Sequence, residues 1–247
     1  MKTSTPENIL ANILKVKRKI HKTCLAVDRD PESVKLLLAT KTVPAELIQS
    51  CIRSGNSLFA EHKVQEFLQK IEALAGLDHE AHFIGHLQSN KVKYLIEHVS
   101  CIHSLDRMSL VKELNKRLIQ TNRTMKVLVQ VNTSGETSKF GIQPNELSSF
   151  LEKISSYPTI YVEGLMTIGL FSSSPDQVRP CFRLLKELAD KTDCSNYENI
   201  KLKELSMGMS NDYMIAIEEG ATIIRVGTSI FGQREYPDSF YWNESEQ

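Results

Sequence analysis

Apolar residues recur along this chain in two spacings, and the two spacings predict different elements. In residues 7–27 they are three or four positions apart, as on the buried face of a helix. The residues that share this spacing are Ile9, Ile13, Val16 and Ile20. Further along the chain, short apolar runs alternate with more stretches of helical spacing. The sequence therefore predicts an N-terminal helix followed by repeated strand–helix units.

Eight of the short apolar runs are predicted to be strands. They are Lys35–Ala39, Ser57–Ala60, Ala81–Ile84, Val99–His103, Lys126–Val131, Ile160–Thr167, Glu204–Ser206 and Thr222–Val226. Helices are predicted after the first seven strands, at residues 45–54, 63–74, 88–97, 108–120, 145–155, 176–190 and 211–219. Alternation of this kind is typical of an α/β protein with a parallel sheet.

The segment after the first strand favours a closed barrel over an open, doubly wound sheet. It reads Ala39-Thr40-Lys41-Thr42-Val43-Pro44 and has no Gly-rich dinucleotide loop. Eight strands, seven of them followed by helices, in 247 residues fit a single (β/α)8 TIM barrel with an extra N-terminal helix. We expect one domain over residues 1–247, with the barrel at 35–234 and a tail at 235–247. The most loop-like stretch is 191–201.

Charge and cysteine content exclude several classes of protein. The 30 basic and 30 acidic residues balance, which gives no broad field for nucleic acid or an anionic membrane. The five cysteines are scattered and odd in number, so we expect no disulfide framework and a cytoplasmic location. The start of the chain has no apolar signal region, and no run approaches the roughly 20 apolar residues of a membrane span.

Lys41 is the first candidate for chemistry. It follows an uninterrupted apolar strand, and in a barrel this position lies at the C-terminal mouth, where functional groups collect. Apolar walls make an amine easier to deprotonate, and a neutral amine can form a Schiff base with an aldehyde. Position alone leaves open a surface lysine at the start of a loop.

The loops after the seventh and eighth predicted strands carry small and hydroxyl residues. In the first loop, Gly208 permits close approach of a ligand, and Ser210 is suited to cap the following helix. The second loop contains Gly227, Thr228 and Ser229. Barrels often bind phosphate between these two loops, so together they predict an anion site. Before the second loop stands Arg225, whose buried charge requires an acceptor, either a ligand atom or a buried carboxylate.

Several segments of unusual composition lie near the predicted strand ends. They are Ala39–Thr42, Val64–Glu66, His82–Lys91, Gln130–Asn132, Glu136 with Ser138, Lys139 and Gly141, Gly164–Ile168, Leu205–Ser210 and Arg225–Gly232, with Arg234 just beyond. In these segments the chain resembles the pyridoxal-phosphate homeostasis family, relatives of the alanine racemase barrel. The resemblance implies a barrel that binds pyridoxal 5′-phosphate.

The resemblance also implies roles for single residues. Lys41 is similar to the Schiff-base lysine, and Arg225 to an arginine that faces the pyridine nitrogen. Met166 corresponds to a position near the cofactor ring, and Lys139 to a lysine that helps pass the cofactor in or out. The implied phosphate cradle consists of Ser206, Gly208 and Ser210 on one side and Gly227 and Thr228 on the other.

Two features depart from a simple match or invite another interpretation. The family pattern Gly-Glu-Asn-Tyr is replaced by Ala60-Glu61-His62-Lys63, which puts the wall formed by the second strand in doubt. The histidines His79, His82 and His86 suggest a metal site. However, no cysteine or carboxylate stands at metal-ligand spacing from them, so we expect no metal.

Three functions follow from these residues. The favoured one is a monomeric carrier that buffers the cofactor and hands it to apo-enzymes, without robust catalysis, because an arginine at the ring nitrogen weakens the electron sink. The chain also ends about fifteen residues after Gly232, short of the second domain that supplies a tyrosine in racemases. The alternatives are a weak amino-acid racemase or other pyridoxal-dependent enzyme, and a cofactor-free Schiff-base aldolase.

Overall fold

Eight parallel strands close into a barrel in chain order in the computed structural model, which describes residues 5–170 and 174–232. The strands are β1 Lys35–Ala39, β2 Leu58–Glu61, β3 Glu80–Phe83, β4 Cys101–Leu105, β5 Met125–Gln130, β6 Ile160–Met166, β7 Ile200–Ser206 and β8 Ile223–Val226. Strand β8 pairs with β1 and completes the ring. The predicted (β/α)8 barrel is confirmed.

Helices follow the strands and surround the barrel. They are α1 Pro6–Ala26, α2 Ala45–Arg53, α3 Val64–Leu74, α4 Val92–Leu95, α5 Met108–Gln120, α6 Leu147–Ser155, α7 Pro175–Lys191, α8 Tyr213–Glu218 and α9 Thr228–Phe231. The helix predicted at 88–97 is a 3₁₀ turn followed by the short α4. A one-turn helix, α9, follows β8, where none was predicted, and the tail at 235–247 lies outside the described residues.

Strand β7 is longer than predicted. It begins at Ile200, inside the stretch expected to be a loop, and Ile200 pairs with Val162 of β6. Exposed lysines at 201 and 203 alternate with apolar residues, so this half of the strand has one solvent-facing side. Because of these charged residues, the sequence of a half-exposed strand resembled that of a loop.

The N-terminal helix packs beside the elements that carry the predicted phosphate loops. Its first turn is capped by Thr5, whose side chain accepts the N–H of Asn8, and Pro6 follows at the first helical position. Asn12 of α1 donates to the carbonyl of Ile230 in α9 at 3.0 Å. Just after α1, Arg29 donates to the carbonyl oxygens of Ile217 in α8 and of Ala221, which follows that helix. Helix α1 therefore supports α8 and α9 from outside the barrel.

Apolar side chains form two separate cores. The larger core lies between the strands and the helices, and the smaller one fills the barrel. The interior cluster contains Leu37, Ala60, Cys101, Leu128, Met166 and Ile223. All five cysteines lie within the described residues and are free thiols, as predicted. Within the two described ranges, no helix is long and apolar enough to cross a membrane.

Candidate functional site

Lys41 lies at the barrel mouth, on the loop that follows β1. Side chains of the strand alternate, with Leu37 in the interior cluster and Leu38 in the outer core. Thr40 turns outward, where its hydroxyl donates to Glu61 Oε1 at 2.6 Å, and Lys41 begins the turn that follows the strand. Lysine side chains usually extend into water, but Lys41 is only 7% exposed. The structure therefore places a buried lysine at the mouth.

Three charged side chains of β2 and α3 hold the loop after β1. Lys70 Nζ lies 2.6 Å from Glu61 Oε1 and 3.1 Å from Glu66 Oε1. The same ammonium donates to the carbonyl of Thr40 at 3.1 Å. Glu66 also accepts the backbone N–H of Thr42, whose φ of 62° is left-handed. This Glu61–Lys70–Glu66 cluster fixes the backbone immediately before and after the mouth lysine.

Glu61 is a fully buried carboxylate. Burial raises the pKa of Glu61 to about 7, although the positive charge of Lys70 opposes that change. Its second oxygen, Oε2, makes no hydrogen bond within the described residues. Desolvation thus outweighs the ion pair, as is common for buried pairs.

Arg225 extends from β8 into the barrel interior and is 5% exposed. Nη1 donates to Ser206 Oγ at 2.7 Å, and Nη2 donates to the carbonyl of Thr167 at 2.8 Å. Burial lowers the pKa of Arg225 to about 10, so the guanidinium stays charged at neutral pH. In the part of the chain that the structure describes, it forms no ion pair with a carboxylate. The two bonds use one N–H on each terminal nitrogen, so the guanidinium retains donors for a further acceptor.

Ser206 lies deeper than the other residues of the predicted phosphate cradle. As the last residue of β7, it is fully buried inside the barrel. Its Oγ accepts from Arg225 and lies 3.0 Å from His103 Nδ1. The structure therefore groups Ser206 with the arginine rather than with Ser210.

Ser210 joins the loops after β7 and β8. Its Oγ accepts the N–H groups of Gly227 and Ser229, both at 3.2 Å. The prediction that Ser210 caps α8 is wrong, because that helix begins at Tyr213 and has Asp212 at its N-cap. Ser210 instead holds the start of α9. Both contacts use its oxygen as acceptor, so the hydroxyl hydrogen remains available to a ligand.

Two glycines of the predicted cradle are required by packing. Gly208 has φ of 89°, and a Cβ there would lie 2.5 Å from Cβ of Ala216 on α8. A Cβ on Gly227 would lie 3.0 Å from the carbonyl oxygen of Ala39 on β1. The sequence suggested that Gly208 allows close approach of a ligand. In the structure, it allows the loop to lie against a helix.

The remaining predicted residues lie at the mouth or just beneath it. Thr228 begins α9, and its hydroxyl makes no hydrogen bond within the described residues. Met166 ends β6, buried in the interior cluster. Lys139, on the loop after β5, pairs with Glu136 and donates to the carbonyl of Gly169 at 2.7 Å. This last bond links the loops after β5 and β6 at the same end of the barrel as Lys41.

The altered stretch 60–63 forms part of the mouth wall. Ala60 belongs to the interior cluster, and His62 is buried just beyond the end of β2. A Cβ on Gly85 would lie 1.9 Å from the carbonyl oxygen of His62, so the loop after β3 packs directly on this wall. Lys63 is at the N-cap of α3. The departures from the family pattern therefore change the wall of the site.

A group of buried histidines inside the barrel was not predicted. The ligand-type atoms of His82, Cys101 and His103 all lie within 4.8 Å of one another. The prediction that His82 has no cysteine companion is wrong, because β3 and β4 pair with His82 opposite Cys101. Aligning the two predicted strands in parallel could have found this group. His86 lies apart from it, stacked on Phe140 with ring centroids 3.9 Å apart.

Comparison with known proteins defines the class of barrel. Residues 6–235 match the family described as the N-terminal domain of alanine racemase. This match covers nearly the whole chain, so the protein belongs to that class.

Closer relatives define the family within the class. The pyridoxal phosphate homeostasis protein of Aquifex aeolicus (strain VF5) is 46% identical over 229 residues, which cover 93% of this chain and 100% of the relative. A solved protein from Bifidobacterium adolescentis has a TM-score of 0.85 at 31% identity, over 94% of this chain and 100% of its own. PipY of Synechococcus elongatus PCC7942, solved with PLP bound, has a TM-score of 0.76 at 32% identity, over 86% and 100%. The chain belongs to the pyridoxal phosphate homeostasis protein family.

Proposed function

We propose that the barrel mouth binds pyridoxal 5′-phosphate and that Lys41 holds it as a Schiff base. The observation that carries this proposal is the relation between Lys41 and Arg225. Strands β1 and β8 pair with Leu37 opposite Arg225, so Lys41 lies nearer the mouth than the arginine. The aldehyde carbon and the ring nitrogen of pyridoxal are at opposite ends of one ring. Lys41 would bind the aldehyde carbon, and Arg225, which lies deeper in the barrel, would donate to the ring nitrogen.

The phosphate is proposed to lie between the loops after β7 and β8. Ser210 and Thr228 each offer a hydroxyl hydrogen there, and the backbone amides near Gly208 and Gly227 offer N–H groups. The amide of Gly227 already donates to Ser210 Oγ, so that hydroxyl would turn if the amide were to bind phosphate. Ser206 is not proposed to bind the phosphate, because its hydroxyl oxygen accepts a hydrogen bond from Arg225.

The proposed role is to carry the cofactor rather than to catalyse a reaction. Bound pyridoxal phosphate supplies an electron sink, which is strongest when its ring nitrogen is protonated. Arg225 can only donate hydrogen bonds, so a nitrogen that accepts from it stays unprotonated. This pairing suits binding, buffering and transfer of the cofactor.

Transfer would take place at the same rim. We propose that the protein is a cytoplasmic monomer that gives the cofactor to apo-enzymes that require it. Lys139 is proposed to assist exchange, because it lies at the same end of the barrel as Lys41. Its partner Glu136 is partly exposed, so this ion pair can open to solvent.

Borohydride reduction tests the Schiff base directly. Protein loaded with pyridoxal phosphate should show a visible absorption band, and reduction should fix the label on the peptide that contains Lys41. Lys63→Ala and Lys139→Ala serve as matched controls and should keep this label. A label found only on Lys63 or Lys139 would contradict the assignment. Absence of any band would favour the cofactor-free aldolase.

A further inference from the structure

A continuous row of hydrogen bonds crosses the barrel interior beneath the mouth. Arg225 Nη1 lies 2.7 Å from Ser206 Oγ, which lies 3.0 Å from His103 Nδ1. His103 Nε2 lies 2.8 Å from His82 Nδ1, and His82 Nε2 lies 3.0 Å from Glu80 Oε1. Glu80 begins β3, so the row runs from the buried arginine to the opposite, N-terminal face of the barrel.

The chemistry of the arginine end sets the direction of every bond. A guanidinium only donates, so Ser206 Oγ is an acceptor and its single hydrogen is free for His103 Nδ1. A neutral imidazole that accepts on Nδ1 carries its hydrogen on Nε2. His103 therefore donates to His82 Nδ1, and His82 donates in turn from Nε2 to Glu80.

The carboxylate end agrees with this direction. The hydrogen bond from His82 is the largest cause that lowers the pKa of Glu80, to about 2, so Glu80 is ionised at neutral pH and only accepts. In the reverse arrangement, His103 would donate to Ser206, and the serine hydrogen would need another acceptor. Among the described residues, no further hydrogen bond of that hydroxyl is present. The forward arrangement gives the hydroxyl of Ser206 and all four ring nitrogens of His103 and His82 a hydrogen-bond partner.

We propose that His103 and His82 are positioning residues that orient Arg225 through Ser206, in a row whose donors all point from Arg225 toward Glu80. Any effect of this row on a bound cofactor rests on the proposed function. The row itself consists only of side chains of the protein and does not depend on that function. Because His103 fixes the hydroxyl of Ser206, Ser206 holds Nη1 of the guanidinium. The carbonyl of Thr167 holds Nη2.

The surroundings of His103 support a neutral ring. His103 is fully buried, and burial is the largest cause that lowers its pKa; the charge of Arg225 acts in the same direction. Cys101, on the same strand, is close enough to suggest a metal site. However, a metal held by His82 Nδ1 and His103 Nε2 would have to break the hydrogen bond between these two nitrogens.

Nitrogen NMR of histidine-labelled protein without cofactor tests the row. At pH 7, His82 and His103, assigned from His82→Gln and His103→Gln, should both be neutral with the hydrogen on Nε2. An imidazolium, an Nδ1–H form, or a stoichiometric metal bound to these rings would overturn the proposal. This measurement needs only the wild-type fold and no pyridoxal phosphate. Its result is therefore independent of whether the proposed function is correct.

Arginine side-chain NMR tests whether the row positions Arg225. In His103→Leu, the N–H groups of Arg225 should exchange roughly fivefold to tenfold faster, as expected for loss of one hydrogen bond. His103→Asn should restore slow exchange, because its side-chain oxygen can accept from Ser206. Cys101→Ala, on the same strand and facing the same interior, is the matched control and should change nothing. Unchanged exchange in His103→Leu, or an equal increase in Cys101→Ala, would overturn the positioning role.

Discussion

The ammonium of Lys70 lies 2.6 Å from the carboxylate of Glu61, and both side chains are buried beside the loop that carries Lys41. This pair links the stability of the fold to the geometry of the candidate site. Its carboxylate binds a proton more readily in the folded protein, with a pKa of about 7, than at its ordinary value of 4.5. The protonated form is therefore favoured by folding.

The first prediction is a pH dependence of unfolding that originates in Glu61. A raised folded-state pKa gives stability that is fully present below about pH 4.5 and is lost as pH rises through about 7. Relative to Glu61→Gln, wild type should lose on the order of 3 kcal/mol of unfolding free energy between pH 4.5 and 8. Urea unfolding across this range measures the difference. Glu152→Gln, at an exposed site, is the control, and parallel curves for wild type and Glu61→Gln would contradict the assignment.

Local periodicity explains why most of the fold could be predicted. The apolar run before Lys41 and the spacing of Ile9 and Ile13 are signals carried by neighbouring residues. Where local pattern and solvent exposure conflict, as in the half-exposed strand that begins at Ile200, the prediction was wrong. The strand order followed from the regular alternation of elements, without any knowledge of side-chain contacts.

Partners distant in sequence were predicted less well. The phosphate loops follow from small residues after two strands, and the resemblance to the family grouped Ser206 with Ser210. The contact of Ser206 with Arg225, by contrast, was not predicted from the sequence. Likewise, the approach of His82 to Cys101 depends on the pairing of β3 with β4. Such contacts depend on register, which residue spacing alone does not specify.

The second prediction concerns Gly208. Alanine there would combine a left-handed backbone with a Cβ 2.5 Å from that of Ala216. We expect Gly208→Ala to lower the free energy of unfolding by about 3 kcal/mol, from backbone strain and overpacking together. Gly76→Ala is the matched control, because Gly76 has φ of 78° with no atom near its Cβ, and it should cost about 1 kcal/mol. Equal losses in urea unfolding would show that the contact with α8 contributes nothing.

The third prediction concerns the phosphate. Ser210→Ala removes both a hydroxyl donor and the link between the two loops, and Thr228→Val removes a hydroxyl donor alone. Loss of one hydrogen bond to a charged group costs roughly 1.5–3 kcal/mol, which corresponds to about 10- to 100-fold weaker binding. Titration with pyridoxal phosphate, followed by absorbance, measures the affinity. If both variants bind as tightly as wild type, the phosphate lies elsewhere.

The last prediction separates a carrier from a catalyst and concerns Arg225. Its charge persists at neutral pH, and its remaining donors can face the ring nitrogen from beneath. We therefore expect wild-type protein to show no substantial racemisation or transamination of common amino acids, measured with chiral chromatography and a keto-acid assay. Arg225→Glu should change the spectrum of the bound cofactor, because a carboxylate favours a protonated ring nitrogen. Arg225→Lys keeps the positive charge and should change the spectrum less. Robust turnover by wild type would refute the carrier role, and an unchanged Arg225→Glu spectrum in a loaded protein would place the arginine away from the ring.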